Sequence, residues 1–399
     1  MMEVENNNSS SSFSNICEDL PIQLSNFIDT FVDFSVSGGL FLLPSLPSSE
    51  PVPPTRFPSP PNRLVAIGDL HGDLDKSKQA FKIAGLIHPL TDRWIGGNTT
   101  VVQIGDVFDR GDDELKILYF LEKLKREALR SGGSIITMIG NHEIMNIDGD
   151  FRYITPSGLQ EFKAWADWFQ IGISMKNLCG GSVENNIFQG IPFTFPRIRK
   201  EFHDGMRARI AALRPNGPIS TRFLSGNPTA LVVGDSVFVH GGLLQDHVSY
   251  GLERINEEVR DWINGLKGRL SPHFVRGRNS VVWLRKFSDQ VCDCSTLQHV
   301  LATIPGAKRM IMGHTIQEMG INGVCDNQAI RIDVGMSKGC GNGLPEVLEI
   351  IGNSEVRILT SEKVHNQSRR HGDSSLRNEK EGLGLLMPEH GPKQIQVQA

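Results

Sequence analysis

Five times along this chain an apolar run gives out onto a glycine flanked by aspartate, asparagine or histidine. The runs are Ile67-Gly68-Asp69-Leu70-His71-Gly72, Ile104-Gly105-Asp106-Val107-Phe108-Asp109-Arg110-Gly111, Ile139-Gly140-Asn141-His142-Glu143, Val239-His240-Gly241-Gly242 and Met312-Gly313-His314-Thr315. One such corner is an ordinary capped turn, and a lone histidine at a strand end is ordinarily structural. Five in order are a different matter, because they gather carboxylates, an amide and several imidazoles at the ends of separate strands. That mixture of hard oxygen and imidazole nitrogen suits divalent manganese, iron or zinc rather than a thiolate site. Two ions sharing one carboxylate use this inventory: Asp69, His71 and Asp106 for one, and Asp106, Asn141, His240 and His314 for the other, with Asp106 bridging. His142-Glu143 does not continue as a zinc-protease helix, since position 146 is asparagine.

Two divalent ions about 3.5–4 Å apart clamp phosphate oxygens and make water acidic enough to ionise near neutral pH. Hydroxide held between them attacks phosphorus in line, so the reading calls for no phosphoenzyme and no cysteine nucleophile loop. His142 is placed beside a ligand to protonate the departing oxygen, and Asp109 to orient that imidazole. Arg110 carries the planar fork that matches two phosphate oxygens. Glu143 is expected to orient a neighbour rather than touch metal.

Read in order, GDLHG (68–72), GDVFDRG (105–111) and GNHE (140–143) resemble the calcineurin-like metallophosphoesterases, specifically the phosphoprotein phosphatases. The resemblance covers roughly Arg63 to Leu359. The later segments VFVHGGL, VVWLRKF (281–287), MGHT (312–315) and IRIDVGMS (330–337) resemble the Shewanella-like branch found in plants. The resemblance implies an α/β (α+β) calcineurin-like fold, two mixed β-sheets in a sandwich flanked by helices, with a helical insertion. It also implies a further phosphate-binding arginine, for which Arg285 matches best, ahead of Arg276 and Arg278. The implied activity is dimetal protein phosphatase, leaning to phosphotyrosine, with manganese the first expectation and iron or zinc the alternatives. Phosphoserine or phosphothreonine, and small compounds such as dinucleoside polyphosphates, are the competing substrates. An inactive phosphoprotein-binding scaffold would require a broken ligand set, and this set is intact. Two departures from the eukaryotic serine/threonine phosphatases stand out: a longer stretch between GNHE and HGG, and Gly335 to Gly343 where the SAPNYC-type loop would be.

Strands must deliver these corners, and the pattern supplies them. Arg63 to Gly68, Thr99 to Gly105 and Ser134 to Gly140 read as strands, with helices over Asp75 to Ile87 and Glu114 to Leu129 between them. Such a β-α-β-α-β unit lays its strands parallel and puts its chemistry at their C-terminal ends. Strand patterns return over Ala230 to Val239, Arg309 to Gly313, Ala329 to Val334 and Val347 to Leu359, and together these bound a catalytic domain over 63–360. The aromatic and basic stretch 151–228 reads as a helical insertion, its Phe162, Trp165, Trp168 and Phe169 packing rather than lining a groove. The loop Gly339-Cys340-Gly341-Asn342-Gly343 reads as a flexible rim.

Outside that domain, residues 1–15 read as disordered, 16–43 as an amphipathic helix with Leu24, Phe27, Ile28 and Phe31 on its packing face, 44–62 as a Pro-rich linker and 361–399 as a mobile tail. The helix is also a candidate for partner docking. With 39% apolar residues, 22% charged residues and a net charge of −4, neither nucleic acid nor an anionic membrane is indicated. No apolar run reaches the ~18 residues a bilayer requires. Six scattered cysteines read as reduced thiols, Cys292-Asp-Cys294 included, which makes the cytosol the expected location; the mitochondrial intermembrane space is the alternative.

Overall fold

Short β-branched runs such as Leu64-Val65-Ala66-Ile67 and Thr100-Val101-Val102 alternate with helices that bury one stripe, and this alternation sets the architecture. The computed structural model describes residues 11–42, 54–57, 61–178, 186–352, 355–361 and 393–394. In chain order the elements are α1 (Ser11–Val36), β1 (Arg56–Phe57), β2 (Arg63–Ile67), α2 (Leu74–Ile83), β3 (Thr100–Gln103), α3 (Glu114–Arg130), β4 (Ser134–Thr137), α4 (Asn141–Asp148), α5 (Pro156–Leu178) and α6 (His203–Leu213). There follow β5 (Ala230–Val233), β6 (Ser236–Val239), α7 (Gln245–Tyr250), α8 (Leu252–Ile263), α9 (Cys294–Ala302), β7 (Arg309–Met312), β8 (Asn322–Val324), β9 (Ala329–Arg331), β10 (Glu346–Ile351), β11 (Glu355–Thr360) and β12 (Lys393–Gln394).

Two six-stranded mixed sheets result, ordered β12-β11-β10-β2-β3-β4 and β1-β5-β6-β7-β9-β8. Strands β2, β3 and β4 run parallel, as do β6, β7 and β9. Residues of both sheets and of the flanking helices join one apolar core, from Val65 and Val102 to Phe238 and Ile311. On α3, Leu115, Leu118 and Leu121 form a buried stripe. Among the described residues no helix is long and apolar enough to cross a membrane.

Several expectations need correction. Helix α1 begins at Ser11, inside the stretch read as disordered, and residues 1–10 lie outside the described ones. Of the expected face, Ile28 is buried and Leu24 packs against the core, whereas Phe27 is 62% exposed and Phe31 39%; Val32 and Val36 complete the packed side. The i, i+4, i+8 aliphatic row wins over the aromatic row because Asp33, on the same side, is drawn in by Arg222, with both guanidinium nitrogens at 2.6 and 2.7 Å from its carboxylate. Within the Pro-rich linker, Arg56–Phe57 pairs as a parallel edge strand with β5, and the rest of 44–62 is described only at 54–55 and 61–62. Of the tail, Lys393–Gln394 pairs with β11.

The cysteines are not all reduced. Cys294 and Cys325 form a disulfide, with Cα atoms 5.4 Å apart, that ties the start of α9 to the β8–β9 turn; the Cys292 sulfur lies 3.3 Å from that of Cys325. Chain folding brings Cys325 across from 31 residues away, which local spacing does not announce. Cys325 and Arg331 stand at the Cys-x5-Arg spacing of a cysteine nucleophile loop, but the cysteine is bonded and the segment is a paired hairpin, so no phosphate cradle forms there. Phe162 and Trp165 are core residues, and Trp168 meets Phe31 edge-on at 5.6 Å.

Candidate active site

Register places the corners before chemistry does. Ile67 pairs with Gln103 and Gln103 with Thr137, so β2, β3 and β4 end level with one another. The same holds for β6, β7 and β9 in the facing sheet, through Phe238 with Ile311 and Met312 with Arg331. Three motifs therefore emerge side by side from one sheet, and His240, His314 and Asp333 from the other.

There the polar atoms converge on Asp106. His240 Nε2 lies 3.1 Å from Asp106 Oδ2 and 3.0 Å from Asn141 Oδ1. His71 Nε2 lies 3.6 Å from Asp106 Oδ2 and 4.0 Å from Asp69 Oδ2. Ligand atoms of Asp106, His240 and His314 fall within 4.8 Å of one another, as do those of His71, Asp106 and His142. All six proposed ligands are buried, and they come together from both sheets.

Tautomers decide what that cluster can hold. The Nδ1 atoms of His71 and His240 face the Phe108 and Ile104 carbonyls at 2.9 and 3.0 Å, so each Nδ1 must donate. The Nε2 of His71 then points a lone pair at carboxylate oxygens, which also offer only lone pairs, while the Nε2 of His240 faces the Asp106 and Asn141 oxygens. His314 Nε2 is buried with no hydrogen-bond partner. Burial takes His71 down to about 4, and burial with the neighbouring His240 and Arg285 takes His314 to about 2, so both imidazoles are neutral at physiological pH. At His240 burial acts downward too, but Asp106 and Asp69 outweigh it and lift the ring to about 10. Burial and the nearby Asp333 hold the Asp69 carboxyl well above its ordinary range. Lone pairs and buried negative charge meeting at one point call for cations there. The donor set therefore fits two divalent ions.

The backbone is bent to make this meeting. His71, Asp106, Asp109, Arg110 and His314 all adopt positive φ, between 43° and 67°, a conformation costing non-glycine residues on the order of 1 kcal/mol each. Two glycines allow the close approach: a Cβ on Gly140 would overlap the Asp106 carboxylate, and one on Gly313 that of Asp69. Glu143 is not a ligand. Its carboxylate accepts the backbone N–H of Gly140 at 2.7 Å and those of Asp106 and Val107 at 2.8 Å, locking the GNHE turn to the Asp106 corner.

Beside these groups stands His142, the expected proton donor. His142 Nδ1 meets Asp109 Oδ2 at 2.6 Å, and its Nε2 lies 3.9 Å from Asp106 Oδ2. Burial lowers the His142 pKa, but Asp106 and Asp109 more than reverse this, so it ends raised. Arg110 stacks on the Tyr153 ring at 4.7 Å, and that ring is 5.2 Å from the His142 imidazole. Arg285 is exposed at the rim, its Nη1 donating to the His314 carbonyl and to Thr315 Oγ1, both at 2.9 Å. Arg276 and Arg278 are exposed on the loop before Ser280. The 339–343 loop is no loose rim: Cys340, Asn342 and Gly343 N–H groups are each bonded at 2.9 Å, and Gly339 abuts the Arg110 carbonyl.

Sequence reasoning missed Asp333, Tyr153, Arg209, Glu114 and Asn146. Asp333 had a signal, since Ile330-Arg331-Ile332-Asp333 is another apolar run ending on aspartate before a glycine. Arg209 had none, because its partners Asn146, Glu114 and Asp109 lie 63 to 100 residues away.

Comparison with known proteins agrees with this geometry. The family model for calcineurin-like phosphoesterases matches residues 62–318. The chain is 62% identical to the Shewanella-like protein phosphatase 2 of Arabidopsis thaliana, covering 97% of this chain and 98% of that one. It is 29% identical to the Shewanella-like protein phosphatase 1 of Plasmodium berghei over 75% of each chain. The solved cold-active protein-tyrosine phosphatase of a psychrophilic Shewanella species shares the fold, with TM-score 0.54 and 22% identity over 79% of this chain and 83% of that one. This chain therefore belongs to the calcineurin-like phosphoesterases and, within them, to the Shewanella-like protein phosphatases.

Proposed function

We propose that this protein dephosphorylates proteins at tyrosine, using a pair of divalent ions with manganese the first choice. The observation that carries the reading is the convergence of ligand atoms from His71, His240, His314, Asn141 and Asp106, with a histidine–aspartate pair and a stacked arginine alongside. When bound, such ions polarise the phosphate and acidify water. Asp69, His71 and Asp106 would hold one ion, and Asp106, Asn141, His240 and His314 the other.

The remaining work falls to the chain's own side chains. The Arg110 fork takes phosphate oxygens in the plane set by Tyr153, and Arg285 adds a second positive charge at the rim. His142 delivers the proton on Nε2 to the leaving oxygen while Asp109 holds Nδ1. Tyr153, 39% exposed beside both groups, offers an aromatic face to a phenolic leaving group; this supports tyrosine over serine or threonine. The Cys294–Cys325 bridge supports an oxidising compartment, the mitochondrial intermembrane space rather than the cytosol. Phosphate release should be measured on phosphotyrosine, phosphoserine and phosphothreonine peptides and on a dinucleoside polyphosphate, with manganese, iron or zinc added. Fastest turnover of phosphotyrosine peptides is expected; preference for the dinucleotide would sink the reading.

A further inference from the structure

Arg209 lies in α6 among Ala208, Ala211 and Ala212, far in sequence from every motif, and it is fully buried. A buried guanidinium is tolerated only where its charge is balanced and its donors are met. Here they are met by the groups behind the proton donor. Its two terminal nitrogens grip the Glu114 carboxylate, Nη2 also lies 3.1 Å from Asp109 Oδ1, and Nε donates to Asn146 Oδ1 at 2.8 Å. Glu114 accepts the backbone N–H of Asp109 as well, and Asn146 Nδ2 donates to Asp109 Oδ2 at 3.1 Å. The Phe162 ring closes over the guanidinium at 4.6 Å.

Both oxygens of Asp109 are thereby fixed, Oδ1 by Arg209 and Oδ2 between Asn146 and His142. We infer that Arg209, delivered by the helical insertion, is a positioning residue for leaving-group protonation. It holds the Asp109 carboxylate in the plane that orients His142, and it touches neither substrate nor metal ligand. The inference rests on the phosphomonoesterase reading above. In the step concerned the oxygen of a water that gives up a proton bonds to phosphorus, the bond from phosphorus to the leaving oxygen breaks with its electron pair on that oxygen, the His142 Nε2 proton joins it, and the proton given up by water restores His142 through solvent.

This assignment has a signature that a merely structural role lacks. A well-stabilised leaving group such as 4-nitrophenolate departs without help, whereas phenolate, with an ordinary pKa of about 10 for tyrosine, needs the proton. The test uses the full-length, manganese-loaded protein. Arg209→Met is combined with Glu114→Gln so that the buried pair is removed as a unit and no charge is stranded. Arg209→Lys, which keeps the charge but loses the fork, is the second variant should the double one not fold.

The expected result is a loss of roughly 30-fold or more in kcat on phenyl phosphate, a loss under about 3-fold on 4-nitrophenyl phosphate, and an unchanged manganese requirement. Equal losses on the two substrates, no loss on either, or a shifted manganese requirement would each overturn the inference. A wild-type protein inactive on both esters would instead overturn the phosphatase reading itself, so the two failures are distinguishable.

Discussion

The metal-facing and proton-facing halves of the site are built from different material. The first is assembled from strand ends in two sheets, and its imidazole nitrogens and its carboxylate and amide oxygens converge on Asp106. The second is a closed network in which Asp109, Glu114, Asn146 and Arg209 satisfy each other in the interior, with a helix of the insertion supplying the cation. One half gathers donors that would take ions from outside, and the other brings its own positive charge. The difference teaches that charge balance is solved twice within a few residues, once by recruitment and once by folding.

If the halves are separable, variants should break one and spare the other. Asp106→Asn strikes the shared ligand; hydrolysis should fall by about 10³-fold or more and manganese should no longer raise the melting temperature, while far-ultraviolet circular dichroism is unchanged. Full activity would refute the ligand set. His142→Asn strikes the other half: kcat on phenyl phosphate should fall by roughly 10²–10⁴-fold with the manganese requirement intact, and loss of metal affinity would merge the two halves into one.

Cys325→Ser opens the 31-residue loop closed by the disulfide while leaving Cys292 and Cys294 too close in sequence to replace it. It should lower the unfolding free energy by about 3 kcal/mol, read by denaturant titration. The kcat should not change, because the bridge joins the start of α9 to the β8–β9 turn and neither cysteine belongs to the cluster around Asp106. Smallest is Tyr153→Ala, expected to reduce the phosphotyrosine-to-phosphoserine ratio of kcat/KM by roughly 2- to 10-fold, the scale of one aromatic contact. An unchanged ratio would remove Tyr153 from the basis for tyrosine preference.

The two halves also differ in how far the sequence exposes them. Asp69, Asp106 and Asn141 sit one or two residues past apolar runs, so the strand pattern and the ligand pattern are the same pattern, and the fold class follows with them. His240 and His314 are legible for the same reason. Arg209 is not, because an arginine in an alanine-rich helix is ordinarily solvated, and only the packing of α6 against α4 and α5 turns it inward. The α1 face was read only in part: Leu24 and Ile28 pack as expected, but phenylalanines dominate any hydrophobic count, and Phe27 faces outward where Val32 and Val36 pack. The disulfide was hidden by distance along the chain.

The level ends of β2, β3 and β4 carry one more implication. A one-residue slip of any of these strands would turn its side chains to the opposite face and remove an oxygen donor from the cluster, and a chain that has formed only the first sheet still lacks His240 and His314. Ion uptake is thus a test of completed assembly, passed only after both halves of the polymer have docked in register. Loading with metal should then come last in maturation, and it should act as a seal on finished molecules by drawing the folding equilibrium behind it.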